Sequence, residues 1–166
     1  MKRKFTLVLA ACLVLTALLC GCSLFEEKAE VFTSGNMSIT LTNRFSESDQ
    51  EGCEAIYSSL EGKVVVVIKE TFDDLRDLGC DESSTASDYA RLVIDVHEMS
   101  DTAVKEKDGV TYYTYESDVD GVSYSYLATV HKSGDAFWLI QFASTTENYA
   151  KFEETFFTYA KSVQFS

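Results

Sequence analysis

The chain has no proline, against a usual share of about 5%, so it carries no proline-set turn and no polyproline recognition segment. Histidine is scarce. His97 and His131 are the only two, and they stand in neither a His-x-His nor a His-Glu-x-x-His spacing, which leaves a transition-metal centre without its usual ligands. Cations are few as well: 14 Lys and Arg face 27 Asp and Glu. A field of that sign repels phosphates, so no nucleic acid is expected as a partner. There is no Gly-x-Ser-x-Gly nucleophile elbow, and the glycines stand singly in turns rather than in a phosphate-cradling loop. No cofactor and no metal are expected.

The residues that are present provide a core and an address. An apolar share of 46% with 13% aromatics rules out intrinsic disorder and supports one domain of ordinary size. Lys2, Arg3 and Lys4 precede an uncharged run over 5–19, too short for a standard membrane span and typical of an export signal. The run closes in Leu19-Cys20-Gly21-Cys22, which resembles the lipobox of bacterial lipoproteins. Cys22 fits that frame with Gly21 before it, whereas Cys20 would place the bulky Leu19 at the cleaved bond. Residues 1–21 are thus expected to leave as a signal peptide, with Cys22 becoming the lipidated N-terminus. Two or three acyl chains suffice for stable anchoring. Losing Lys2, Arg3 and Lys4 takes the net charge from −13 to −16.

Residues 22–35 read as the lipidated Cys and a charged tether, and residues 36–166 as a single globular domain. Fully extended at roughly 3.3–3.6 Å per residue, the tether reaches about 45 Å at most. Two cysteines, Cys53 and Cys80, remain in the exported domain, and an even pair in that compartment is a candidate disulfide.

Alternation of Met37, Ile39 and Leu41 with polar neighbours predicts a half-buried strand. A second strand is read over 55–60. The unbroken run from Val64 to Ile68 predicts a strand covered on both faces. Thr85-Ala-Ser-Asp88 resembles a capping box and opens a helix with Tyr89, Ala90, Val93 and Val96 at helical spacing. A second helix is read from Ser144-Thr-Thr-Glu147, its stripe formed by Tyr149, Phe152, Phe156, Ala160 and Val163.

Between the helices, Asp108-Gly109, Asp120-Gly121 and Ser133-Gly134 mark two-residue hairpins in an antiparallel meander. A two-residue turn at Asp120-Gly121 sets Tyr115 opposite Tyr126, Tyr113 opposite Ala128 and Ser117 opposite Tyr124. That makes one face tyrosine-rich, and its expected fate is burial under the amphipathic helices rather than use as a stacking platform. Residues 136–142 are apolar on both faces and should form a central strand.

Several of these segments together resemble PsbP-like and DcrB-like bacterial lipoproteins. They are Met37-Ser-Ile-Thr-Leu41 followed by Phe45, the valine strand running into Lys69-Glu70-x-Phe72, and Asp88-Tyr89-Ala90. Asp135-Ala-Phe-Trp138 with Gln141-Phe142, and the closing Ser162-Val163-x-Phe165, complete the set. The resemblance implies a Mog/PsbP-like α+β fold: an α/β/α sandwich whose central, mostly antiparallel sheet of about six or seven strands is covered by helices. It also implies a binding or assembly protein without catalysis. No family-wide functional residue carries over.

Other candidate chemistry has a plainer explanation. Asp73, Asp74, Asp77, Asp81 and Glu82 lack the Asp-x-Asp-x-Asp-Gly order of a calcium loop, and a hairpin accounts for Asp118, Asp120 and Gly121. The expected function is a lipid-anchored, extracytoplasmic lipoprotein of the cell membrane that binds a protein or envelope component. The alternative is a small-molecule or peptide binder with a pocket between sheet and helix.

Overall fold

In the computed structural model, which describes residues 27–166, the valine run becomes the inner part of β5 (Val64–Thr71), its first four side chains all buried. Around it the chain lays down β1 (Ala29–Ser34), β2 (Met37–Thr42), β3 (Phe45–Ser48) and β4 (Ala55–Ser59). After β5 come a short helix α1 (Phe72–Leu75), one 3-10 turn and α2 (Ala86–Val96). Next are β6 (Lys105–Lys107), β7 (Val110–Val119), β8 (Val122–Ser133), β9 (Ala136–Thr145), α3 (Thr146–Lys161) and β10 (Gln164–Phe165). The signal segment and Cys22 lie outside the described residues.

Seven strands form one sheet in the order β3-β4-β5-β9-β8-β7-β6, antiparallel at every junction. β9 occupies the middle, as a strand apolar on both faces must. On one face Tyr57, Val65, Val67, Trp138, Ile140 and Phe142 pack against Phe152, Phe156 and Phe157 of α3 and against Met37, Ile39 and Leu41 of β2. On the other, Tyr113, Ala128, Val130, Phe137 and Leu139 meet Tyr89, Ala90, Val93 and Ile94 of α2. Each such fully buried side chain contributes roughly 1.5–3 kcal/mol. The architecture is the expected α+β sandwich, with a three-stranded sheet, β1-β2-β10, sharing one cover with α3.

Four local expectations are corrected. Residues 29–34, read as tether, form β1 and pair with β2 from Ala29↔Thr42 to Ser34↔Met37; its alternation is faint because this edge strand is largely exposed. The Cys53–Cys80 bridge is absent, since Cys80 is a free buried thiol within the α2 cluster, whereas Cys53 packs in a separate cluster with Ile56 and Tyr126. The third hairpin turns one residue later than read, Ser133 pairing with Ala136. Gly134 then takes the first loop position at φ 64°, the position where a type II′ turn demands glycine. Finally, β9 runs on through Thr145, so α3 begins at Thr146 with no side-chain cap.

Candidate functional site

A carboxylate, two tyrosine hydroxyls and a thiol come together between α2 and the sheet. Their placement starts with the cap. Thr85 Oγ1 accepts from the Asp88 amide at 3.2 Å, and Asp88 Oδ2 accepts from the Thr85 amide at 2.9 Å. That reciprocal pair fixes the helix start, and one residue later Tyr89 turns inward to stack on Phe137, centroids 4.8 Å apart and planes 5° from parallel. The Tyr89 hydroxyl donates to Glu70 Oε2.

Glu70 belongs to the same β5 face as Val64, Val66 and Ile68, which is why a carboxylate near the strand end points under α2. Burial holds its pKa above the usual value, while the Tyr89 hydrogen bond pulls the other way. Burial, together with the Glu70 charge, also pushes up Tyr89 and Tyr113. The Tyr113 hydroxyl is buried without a hydrogen-bond partner. Cys80 packs in the same cluster, and burial raises its thiol too, keeping it protonated and a poor nucleophile. This arrangement ties α2 to β5 and supplies no activated base.

Beyond α2 the same sheet face carries the tyrosine ladder. The register is as read from the turn: Tyr115↔Tyr126, Tyr113↔Ala128 and Ser117↔Tyr124. Tyr113 is covered by α2. Tyr124 and Tyr126 are buried in a neighbouring cluster with Ile56, Val64, Val66 and Val119, against which Tyr115 packs half-buried. The rings thus cover one another where α2 does not reach. The second amphipathic helix, α3, packs on the opposite face.

A shallow crevice of about 230 Å³ lies where α3 meets β7 and β8, lined by Thr114, Glu116, Ser125, Tyr149 and Glu153 among others. Ser125 Oγ donates to Glu116 Oε1 at 3.1 Å and lies 3.0 Å from Thr146 Oγ1, whose own hydroxyl can donate to it. The volume is below the roughly 300–1,000 Å³ of typical small-molecule sites.

The remaining candidates stay apart. His131 packs beside Phe165 on the α3 face of the sheet, opposite Cys80, and burial lowers its pKa to about 4. His97 caps the C-terminal end of α2, a helix length from Cys80 at the other end, and burial lowers its pKa as well. Asp73 pairs with Arg76 at 2.6 Å, Asp81 accepts from Ser83, and Asp118 accepts from Ser123. Among the described residues no three His, Cys, Asp or Glu side chains converge to hold a metal, and no helix is long and apolar enough to cross a membrane.

Sequence reading passed over the Glu70–Tyr89 contact although both residues stood in quoted motifs. Strand parity, counting Glu70 on the face of Val64, would have brought the carboxylate inward.

No protein-family model and no curated protein sequence matches the chain. Solved structures do. Cyanobacterial PsbP (CyanoP) from Synechocystis superposes with a TM-score of 0.54 at 18% identity, covering 91% of this chain and 99% of that one. A Bacteroides thetaiotaomicron protein gives 0.52 at 10% identity over 79% of this chain and 45% of its own. LpqN, a Mycobacterium tuberculosis protein involved in cell envelope biogenesis, gives 0.50 at 6% identity over 86% and 92%. The fold is PsbP-like.

Proposed function

We propose that the chain is a lipid-anchored, extracytoplasmic protein that binds or helps assemble a protein or envelope component and does no catalysis. The observation that carries this reading is the separation of its reactive groups. Cys80 is buried and protonated on one side of the sheet, His131 is half-buried and neutral on the other, and His97 stands at the far end of α2. Acidic side chains, by contrast, dominate the surface, with Asp73, Asp77, Asp95, Glu98 and Asp101 all exposed. That distribution suits recognition of a basic partner and not turnover. Kinship of fold with CyanoP and with the envelope-biogenesis protein LpqN supports an envelope role.

Anchoring rests on Gly21-Cys22 after the apolar run. Cells expressing the full chain are fed a labelled fatty acid. Label should persist with Cys20→Ser and vanish with Cys22→Ser, which should also release the protein from membranes. Label that survives Cys22→Ser refutes the anchor.

A further inference from the structure

We propose that the β4–β5 hairpin is a membrane-docking element, with Leu60 at its tip entering the headgroup region of the bilayer that holds the anchor. The inference rests on acylation of Cys22. β1 begins at Ala29, so the chain from Cys22 to the first strand spans at most about 25 Å when fully extended. Whichever end of the domain holds the start of β1 therefore faces the lipid.

That end is defined by pairing. Ala29 pairs with Thr42, the Asn43 amide donates to the Lys28 carbonyl at 2.8 Å, and the chain turns into β3, where Phe45 pairs with Ser59. Leu60 follows Ser59 directly. It is 98% exposed, against 43–64% for Val31, Val96 and Val122, the other exposed large apolar side chains among the described residues. An isolated exposed leucine is ordinary. A fully exposed one on a hairpin tip, at the end the anchor brings to the membrane, is placed to insert.

The charges permit it. Around the start of β1 and the β4–β5 tip, Lys28, Arg44 and Lys63 balance Glu27, Glu30 and Glu61, within a domain of net −16. Arg44 reaches Glu61 Oε1 at 2.6 Å and Lys63 reaches Glu61 Oε2 at 2.6 Å, and Lys63 is seated over the rings of Phe45 and Phe152. The tip is thus held on a buried cation, and its acid is neutralised before it meets the headgroups. Asp118 and Asp120 sit at or beside the next hairpin tip, about three strand spacings, or roughly 14 Å, away, which confines the contact to the β3–β5 side.

The test uses the full acylated chain reconstituted in phosphatidylcholine vesicles with or without brominated acyl chains. Two variants are compared, Leu60→Trp and Glu82→Trp. Glu82 lies at the other end of the sheet, its carbonyl accepting from Lys132, and Lys132 is about 26 Å along β8 from Tyr124. Trp138 is fully buried and gives a constant background. Docking predicts a blue shift and loss of most of the added emission in brominated vesicles for Leu60→Trp, with none for Glu82→Trp. If mass spectrometry shows acylated Cys22 and both variants stay unquenched, the docking proposal is wrong while the anchor stands. Absence of acyl mass on Cys22 removes the anchor and the docking together. A blue shift seen in native membranes but not in pure lipid assigns the tip to a protein contact and overturns the proposal.

Discussion

Tyr115 lies face to face with Tyr126 across the β7–β8 pair, ring centroids 4.5 Å apart and planes 6° from parallel. The stack closes the part of the sheet that α2 leaves open, so each ring is core for the other. Truncating a buried aromatic costs its transfer free energy and leaves a cavity. Tyr126→Ala should therefore destabilise the fold by about 3 kcal/mol, read as a lower urea midpoint. An unchanged midpoint would make the ring an exposed platform instead.

That stack was legible from two residues, because Asp120 and Gly121 at φ 51° and 81° supply the two left-handed positions of a type I′ turn, and the turn fixes every pair beyond it. The valine run and the apolar β9 were equally plain, since burial on both faces leaves no room for polar alternation. β1 was hidden by the reverse circumstance: an edge strand with four of six residues exposed has the composition of a linker. The two sheets could not be told apart either, since β2 alternates whether it joins the large sheet or lies over it. The acid–tyrosine contact under α2 needed both the strand parity and the choice of face that the helix covers, and only the first is written locally.

Glu70 and Glu61 should titrate with opposite effects on stability. Burial raises Glu70 above its ordinary 4.5, so its contribution is fully present below about pH 4.5 and is lost as pH rises through the folded value. Hydrogen bonding from Lys63 lowers Glu61, so its contribution is present above about pH 4.5 and is lost as pH falls through the folded value. Glu70→Gln is expected to be more stable than the parent at pH 7, with the difference closing in acid. Glu61→Gln should be less stable at pH 7 by roughly 1–3 kcal/mol, because it removes the ion-pair partner of the buried Lys63. Urea midpoints at pH 7 and pH 4 separate the two, and a shared sign contradicts the assignment.

Cys80 should behave as a buried, protonated thiol. Native, unreduced protein exposed to an alkylating reagent at pH 7.5 should leave Cys80 unmodified, and full modification should follow on unfolding in urea without reductant. Peptide mapping that finds Cys80 disulfide-linked after unfolding would restore the bridge that the fold does not contain. Cys80→Ala should cost on the order of 1 kcal/mol, the loss of one small buried group.

His131 should be the main source of histidine-dependent acid sensitivity. It is seated against Phe165 with Nε2 3.4 Å from Thr129 Oγ1, and burial alone takes its pKa from 6.5 to about 4. The folded state therefore prefers the neutral ring. The stability this provides is complete above the unfolded value of 6.5 and is lost as pH falls from there toward about 4. The gap between the two values corresponds to on the order of 3 kcal/mol, comparable with the whole loss expected from deleting a core ring. His131→Phe keeps a ring against Phe165 but binds no proton, so its stability should fall less steeply between pH 6.5 and 4 than that of the parent. Subtracting the two curves cancels the carboxylates common to both. If the curves run parallel through that window, His131 is hydrated or protonated in the folded state, and burial does not govern it.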